Sequence, residues 1–277
     1  MPELPEVEVV RSTLQKKILG KKFAAPILHI PTTVAYPAPE KFSYDLNGRL
    51  VEQVGRKGKY LLINLDRGIL VVHLRMTGNL IFSKNGELKE DRFLRLSLPF
   101  TDGSALYYSD MRRFGRLWLV KSEADLKEKV LARLGPDLLN EMDRTTFCRL
   151  LESKKRRRLK ALLLDQQFAS GMGNIYTDEC LYRCGFHPKQ TVESLNLAEK
   201  EKLFDTILAV LEEGIKYGGT SVRDYRNASG ALGDFQSRLN VYGRRGERCR
   251  NCGSTIEKDT VAGRGTYYCP GCQKEEK

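Results

Sequence analysis

The sequence has no run of about eighteen or more apolar residues, which excludes a membrane-spanning helix. It opens with acidic and apolar residues and lacks the basic stretch and apolar core of a signal peptide. It also has no internal repeat and no low-complexity linker. We therefore expect a cytoplasmic protein with no membrane partner.

Acidic residues are fewer than basic ones. The chain has 35 Asp and Glu and 47 Lys and Arg, which gives a formal net charge of +12. Residues 1–140 carry 23 basic and 16 acidic side chains, and the remainder carry 24 and 19. A chain that is basic throughout suits a polyanion that contacts every domain, most commonly nucleic acid. The alternative is a basic housekeeping protein whose charge serves only solubility. With 41% hydrophobic residues, the chain is too apolar for a disordered basic tail.

Seven cysteines in a cytoplasmic chain of 277 residues do not indicate a disulfide framework. Cys249-x2-Cys252 is followed after sixteen residues by Cys269-x2-Cys272, a spacing that brings four thiolates around one tetrahedral zinc. Since no coordination position is left for water, we expect one structural zinc ion and not a catalytic one. The other cysteines fall in helical stretches and are expected to be buried: Cys148, Cys180 and Cys184.

The pattern of apolar residues changes along the chain and predicts an α+β fold. Steps of three and four residues predict a helix from Pro5 to Ile18. Seven short strands follow, which favours a sandwich or barrel, at 23–30, 50–54, 60–65, 69–74, 93–99, 105–109 and 116–120. Ser122 can cap a helix that ends near Gly135, and further helices are predicted at 145–153, 157–167, 175–184 and 197–217.

Two neighbouring motifs in the helical half point to phosphate binding. The densest basic run extends from Lys154 to Lys160 and indicates either a solvated helix face or contact with phosphates. In Gly171-Met172-Gly173-Asn174, the glycines permit a tight turn and Asn174 can cap the next helix. Such a helix start aims backbone N–H groups at a phosphate, although a plain connection between helices explains it equally well.

Three residues beside predicted strand ends have the chemistry to enter a base stack: Met76, Arg112 and Phe114. Met and Phe side chains wedge between bases, and Arg can fill a vacated place in a duplex. Taken singly, Met76 and Phe114 are explained more simply as core residues.

The start of the chain carries the most unusual chemistry. Removal of Met1 would expose Pro2 as a secondary amine, and a terminal amine has a pKa of about 8, so a share of it is neutral and nucleophilic. Condensation with an aldehyde-level carbon gives an iminium, which acidifies the neighbouring C–H bond. Glu3 can move the protons that this chemistry requires. Many chains, however, begin with Met-Pro and make no use of it.

Seven motifs occur in the order typical of one family and span nearly the whole chain: Met1 to Glu8, Gly58 to Leu61, His73 to Gly78, Arg112 to Gly115, Gly171 to Tyr176, Val241 to Arg244 and Gly263 to Thr266. With the zinc ribbon, this set resembles bacterial formamidopyrimidine-DNA glycosylase, which excises 8-oxoguanine and ring-opened purines and then cuts the strand. The resemblance implies an N-terminal β-sandwich with a long N-terminal helix over 1–135, a helix-two-turn-helix domain over 136–240 and the zinc ribbon over 241–277.

The resemblance also implies catalytic roles at the start of the chain. Pro2 would attack C1′ of the damaged nucleotide and form an iminium intermediate, and β- and δ-eliminations would follow. Glu3 would act as general acid and base, with Glu6 supporting the site. Lys59 would contact the phosphate next to the lesion and assist catalysis.

The remaining roles implied by the resemblance concern DNA. Met76, Arg112 and Phe114 would fill the space left by the extruded base, and the segment from Thr220 to Tyr225 would close over that base. The partner would be damaged double-stranded DNA, bound by a nucleoid-associated bacterial monomer with no organic cofactor. Phosphate contacts around the lesion would come from Lys160, Asn174 and Arg264.

The chain departs from the family pattern in places, and two other functions stay open. Glu90-Asp91-Arg92-Phe93 stands where many relatives have a histidine-rich stretch, so Arg92 would have to replace a phosphate contact made by histidine. Met111 stands where Pro or Val is usual. The alternatives are an endonuclease VIII-type enzyme that prefers oxidised pyrimidines and a catalytically silent DNA-binding protein. The retention of Pro2, Glu3, Glu6 and Lys59 argues against the silent protein.

Overall fold

The computed structural model describes residues 1–88, 91–221 and 225–274. The chain divides into two compact units, one of Met1–Ala132 with Ile215–Gln236 and one of Arg133–Gly214 with Ser237–Lys277. The predicted α+β composition is confirmed, whereas the division into three domains stays a prediction. Within the described ranges, the helices are too short or too polar to cross a lipid bilayer.

The first unit begins with the predicted N-terminal helix, α1 (Leu4–Ile18). Pro5 lies in its first turn, where a missing backbone N–H group costs nothing. Lys16 and Lys17 lie in its last turn, where the helix dipole favours positive charge. The apolar residues at three- and four-residue steps form its buried face, as predicted: Val7, Val10, Leu14 and Ile18.

Two sheets make up most of this unit. The four-stranded sheet has the order β1-β7-β8-β6, and the five-stranded sheet has the order β2-β9-β5-β4-β3 with only the β2–β9 pair parallel. Apolar side chains from both sheets and from α1 form one core. The elements are β1 (Ile27–Leu28), β2 (Val34–Tyr36), α2 (Pro39–Leu46), β3 (Val51–Lys57), β4 (Tyr60–Leu65), β5 (Ile69–His73), β6 (Gly78–Ser83), β7 (Leu94–Pro99), β8 (Ala105–Asp110), β9 (Arg116–Val120) and α3 (Glu123–Lys129).

The structure corrects several element predictions in the first unit. The expected strand at 23–30 pairs over Ile27–Leu28, with one further isolated bridge between Phe23 and Phe100. Helix α2 and strands β2 and β6 were not predicted, because their apolar residues follow no clear period. Ser122 caps α3 as expected, since its hydroxyl accepts from Asp125 N at 3.2 Å, but the helix ends at Lys129.

The second unit contains the helices of the C-terminal half and the zinc ribbon. The helix expected at 157–167 is only five residues long, and the helix start expected to be capped by Asn174 is capped by Gly173 instead. The three cysteines outside the ribbon are buried, as predicted. The elements are α4 (Arg144–Glu152), α5 (Leu159–Leu163), α6 (Asn174–Cys184), α7 (Leu197–Lys216), β10 (Glu257–Val261) and β11 (Arg264–Tyr268), and short 3-10 helices lie at Pro31–Thr33, Val192–Ser194 and Phe235–Arg238.

Candidate active site

The first turn of α1 buries two carboxylates beside Pro2. Glu3 and Glu6 are almost fully shielded from solvent, and Pro2 is buried as well, whereas Met1 is half exposed. The backbone N–H of Glu3 donates to Glu6 Oε2 at 2.7 Å, so Glu6 reaches back across the first turn to the helix cap. The helix start therefore fixes the residue that follows Pro2 and sets both carboxylates within one turn of it.

Glu6 also joins α1 to a segment more than two hundred residues later. Its Oε1 accepts from the backbone N–H of Thr220 at 2.7 Å, and its backbone carbonyl accepts from the Tyr225 hydroxyl at 3.2 Å. Burial and the nearby Glu6 charge raise the pKa of Tyr225, which keeps the phenol protonated as a donor. These contacts hold both ends of the segment that was predicted to close over the extruded base, although positions 222–224 lie outside the described residues.

Lys59 lies in the turn between β3 and β4, near His73, which was not among the predicted site residues. Gly58 takes a positive φ of 55°, which suits this tight turn, and Lys59 is buried. Burial, followed by the charges of Arg75 and Lys59, lowers the pKa of His73 to about 3. His73 Nδ1 accepts from the backbone N–H of Arg75 at 3.0 Å. His73 is therefore a neutral hydrogen-bond acceptor. Its place in the His73 to Gly78 motif was the sequence signal that could have marked it as a site residue.

The three predicted wedge residues meet at the surface of the first unit. Arg112 Nη1 lies 3.0 Å from Met76 Sδ, and the Arg112 guanidinium lies over the Phe114 ring at 4.7 Å from its centroid. Met76 is 39% exposed and Phe114 is 48% exposed, so the simpler explanation of both as core residues is wrong. An exposed cluster of Met, Arg and Phe is chemically suited to enter a base stack.

Asp110 holds the two turns that carry these wedge residues. It accepts from the Thr77 hydroxyl in the β5–β6 turn and from Gly115 N at 2.7 Å in the β8–β9 turn. Arg112 N donates to Thr77 Oγ1 at 3.0 Å and lies 3.2 Å from Asp110 Oδ1. Gly115 has no alternative here, because a Cβ atom would lie 1.6 Å from the Tyr108 hydroxyl. Asp110 lies two residues before the Arg112 to Gly115 motif, but its role depends on contacts that spacing does not reveal.

The second unit holds the predicted phosphate-binding residues at the turn end of the β10–β11 hairpin. Arg264 is exposed at the first position of β11, immediately before Gly265. Asn174 Nδ2 donates to the Gly265 carbonyl at 2.8 Å, and Lys160 Nζ lies 3.3 Å from the same carbonyl. Lys160 and Asp178 are fully buried and form an ion pair at 2.6 Å. The structure therefore gathers Lys160 and Asn174 beside Arg264, but the Lys160 ammonium group is occupied inside the protein.

A second buried carboxylate on α6 fixes the chain where it enters the ribbon. Glu179 accepts from the backbone N–H groups of Asn240, Val241 and Tyr242 at 2.9 to 3.0 Å. Glu179 could not be predicted as a structural residue, because nothing in the periodicity of α6 distinguishes it from a surface glutamate. It holds the start of the Val241 to Arg244 motif against α6.

The four ribbon cysteines form a cluster of the right size for zinc. Their sulfur atoms all lie within 4.8 Å of one another. Cys252 and Cys269 are 3.4 Å apart and Cys249 and Cys272 are 3.8 Å apart, close to the spacing of about 3.8 Å that Zn–S bonds of about 2.3 Å impose on a tetrahedron. Backbone N–H of Asn251 points at Cys249 Sγ at 3.4 Å, a contact that stabilises a thiolate. The residues present fit one structural zinc ion, as predicted.

The stretch that departs from the family pattern is only partly described. Asp91 accepts from Phe93 N at 2.8 Å and from the Ser109 hydroxyl, so its carboxylate has a local structural role. The Arg92 guanidinium lies over the Phe93 ring at 4.7 Å. Glu90 lies outside the described residues. The expectation that Arg92 replaces a histidine contact stays a prediction.

Comparisons with known proteins agree with this architecture along the whole chain. Residues 1–117 match the formamidopyrimidine-DNA glycosylase N-terminal domain, 134–226 match its H2TH domain, and 246–274 match a zinc finger found in FPG and IleRS. The Heliobacterium modesticaldum protein named formamidopyrimidine-DNA glycosylase is 45% identical over 99% of this chain and 100% of its own length.

Two solved structures match this chain over almost its whole length. One is a complex between Lactococcus lactis Fpg and DNA that contains an abasic site, with 35% identity and a TM-score of 0.90. The other is MutM in complex with DNA that contains carbocyclic 8-oxo-G, with 35% identity and a TM-score of 0.89. Each match covers 99% of this chain and 100% of the other chain.

The fold and the site define a DNA glycosylase with a zinc finger and lyase activity, an enzyme of base-excision repair. The chain belongs to the formamidopyrimidine-DNA glycosylase family. The predictions of family, enzyme class, structural zinc and a DNA partner are confirmed, and the alternative of a catalytically silent DNA-binding protein is wrong.

Proposed function

We propose that this chain removes 8-oxoguanine and formamidopyrimidines from duplex DNA and then cuts the strand through an iminium intermediate on Pro2. The observation that carries the proposal is the first turn of α1, where Glu3 and Glu6 are buried beside Pro2. Buried carboxylates next to an amine can take and return protons without competition from bulk water. The comparison structures with 8-oxo-G and abasic-site DNA support the same substrates for this chain.

The chemistry follows from the terminal amine. After Met1 is removed, the Pro2 nitrogen attacks C1′, the glycosidic bond breaks, and the base leaves with a proton. Opening of the sugar ring gives an iminium, which withdraws electrons and acidifies the C2′–H bond, so the 3′-phosphate leaves by β-elimination and the 5′-phosphate by δ-elimination. Glu3 moves these protons, and Glu6 fixes the helix start that positions the amine.

The DNA-contact residues keep the duplex in register while the damaged base is extruded. We assign Lys59 to the phosphate next to the lesion, and Met76, Arg112 and Phe114 to the space that the base leaves, as their exposure supports. Phosphate contacts fix position and not sequence, which suits an enzyme that must act in any sequence context. Asn174 and Arg264 belong to this set, whereas the role of Lys160 is argued separately below.

We further propose that the protein acts as a monomer in the bacterial cytoplasm, associated with the nucleoid. Its net charge of +12 supports a lasting association with DNA. We also propose three domains, at 1–135, 136–240 and 241–277, which the three matched family segments support in order and number.

A panel of three duplexes tests the proposed substrate class, each with one 8-oxoguanine, formamidopyrimidine or thymine glycol residue. We expect single-turnover excision of both damaged purines to exceed that of thymine glycol by about tenfold or more, the scale on which polar contacts to a base discriminate. An undamaged duplex is the control. A preference for thymine glycol would contradict the proposal and favour the endonuclease VIII-type alternative.

A further inference from the structure

We propose that Lys160 and Asp178 are positioning residues that set the β10–β11 hairpin, so that Lys160 acts on DNA through Gly265 and Arg264 and not by touching a phosphate. This inference rests on the proposed function of Arg264 as a phosphate contact. It changes the role of Lys160 from a ligand of the DNA to a support of the hairpin.

Lys160 and Asp178 form a pair that is buried inside the second unit. The side chains of Lys160 and Asp178 have no exposed surface, and Lys160 Nζ lies 2.6 Å from Asp178 Oδ1. To reach a phosphate, Lys160 would have to leave this carboxylate uncompensated inside the protein, which is strongly unfavourable. Burial raises the pKa of Asp178 to about 7 and the Lys160 charge opposes this rise, so the carboxylate depends on its partner to stay ionised.

Other contacts of the pair lie on the backbone of β11. Asp178 Oδ2 accepts from Tyr267 N at 2.9 Å, and Lys160 Nζ approaches the Gly265 carbonyl at 3.3 Å. Asn174 Nδ2 donates to that same carbonyl at 2.8 Å. The backbone of β11 is therefore held at two positions by one buried group of side chains from α5 and α6.

The β10–β11 hairpin has a tight turn next to Arg264. Its turn places Ala262 at φ 52° and Gly263 at φ 71°, and Arg264 follows immediately as an exposed residue. Left-handed backbone is costly for alanine, so the turn depends on the strands on either side to hold it. A shift of Gly265 would move Arg264 directly, because the two residues are adjacent.

A double-mutant cycle tests the proposal in the full-length, zinc-loaded protein. The variants are Lys160→Met, Asp178→Asn and the two combined, and affinity is measured on a duplex with a tetrahydrofuran abasic analogue. Asn keeps an oxygen that can accept from Tyr267 N, and Met fills the volume of Lys. We expect each single variant to weaken binding by about tenfold or more, because each leaves a buried charge alone, and the combined variant to recover most of that loss.

Direct phosphate contact by Lys160 makes the opposite prediction. Asp178→Asn would then release the lysine and leave affinity unchanged or higher, and the combined variant would be as weak as Lys160→Met alone. Losses that simply add in the combined variant would also overturn the proposal. If Lys160→Met does not fold, Asp178→Asn decides the question, since only the positioning role predicts a loss of affinity.

Two further measurements separate the hairpin from general damage and from failure of the proposed function. Hydrogen exchange at the Tyr267 amide should accelerate in each single variant and slow again in the combined one, while zinc content stays at one per chain. Arg264→Ala should lower the slope of log affinity against log salt by about one, and the combined variant should keep the wild-type slope. Hydrogen exchange requires no substrate, so it reports on the pair even if the proposed function is wrong.

Discussion

Single residues of this enzyme owe their chemistry to burial that the sequence does not display. Residue types and order predict Pro2, Glu3 and Lys59 as site residues, because each lies in a motif. His73 lies inside one of these motifs and Asp110 lies just before another, but the importance of each depends on its surroundings. His73 is buried near two positive charges, and four polar groups surround the Asp110 carboxylate. Lys160 shows the limit most clearly, because a lysine in a basic run is predicted to face solvent and this one is fully buried.

The lowered pKa of His73 predicts a pH-dependent stability. Its folded-state pKa of about 3 lies below the value of about 6.5 in an unfolded chain, so the unfolded state binds the proton first as the pH falls. Stability is therefore fully present above pH 6.5 and is lost as the pH falls toward 3. His73→Asn retains an oxygen that can accept from Arg75 N but does not titrate in this range.

Urea unfolding of the wild type and His73→Asn from about pH 7.5 to about pH 5.5 measures the contribution of His73 to the free energy of unfolding. We expect the wild type to lose about 1.4 kcal/mol more than His73→Asn over this interval, because one site titrates about one unit beyond its unfolded pKa. Equal losses in the two proteins would show that His73 is protonated in the folded state.

Helices and strands with a regular apolar period were predictable from the sequence, whereas elements without such a period were not. Strands β4 and β9 have the predicted bounds, and α1 and α7 differ from prediction by one residue at one end, because their apolar residues follow a clear period. Strand β6 begins at Gly78, the last residue of the His73 to Gly78 motif, and close packing against Leu74 and Tyr108 selects that glycine. Tertiary contact of this kind has no signature in a local window.

The turns that carry the wedge residues depend on Asp110, so Asp110→Asn should loosen both. Each carboxylate oxygen of Asp110 now accepts a hydrogen bond, one from the Thr77 hydroxyl and one from Gly115 N. The amide nitrogen of an Asn side chain would replace one of these oxygens and face a donor. We expect a loss of about 1 to 3 kcal/mol in the free energy of unfolding, the usual cost of an unsatisfied buried polar group. Excision of 8-oxoguanine from duplex DNA should also slow, because Met76 and Arg112 are no longer held together.

Asp66→Asn is the matched control, since Asp66 is exposed and accepts from Leu50 N in another turn of the same unit. It should change stability by no more than about 0.5 kcal/mol. Chemical denaturation and single-turnover excision of all three proteins check both effects. If the Asp110→Asn protein is destabilised but excises 8-oxoguanine at the wild-type rate, Asp110 does not contribute to excision through the wedge residues.

For the whole molecule, the basic charge supported a nucleic-acid partner and the ordered motifs supported the family, and both predictions are confirmed. Contacts between distant parts of the chain could not be predicted from spacing. Glu6 meets Thr220 and Tyr225 across more than two hundred residues, and Lys160 meets Gly265 across about one hundred. Such contacts are properties of the folded chain, and they hold the first turn of α1 and the β10–β11 hairpin in place.

The central claim is that the amine of Pro2 is the nucleophile. Borohydride reduction during reaction with 8-oxoguanine DNA, followed by peptide mapping by mass spectrometry, tests it most directly. Protein that has lost Met1 should give a covalent adduct on the peptide that begins with Pro2, protein that retains Met1 should give none, and Pro2→Gly should lower strand cleavage by about tenfold or more. An adduct on Lys59 or any other lysine, or no adduct with Met1 removed, would contradict the account.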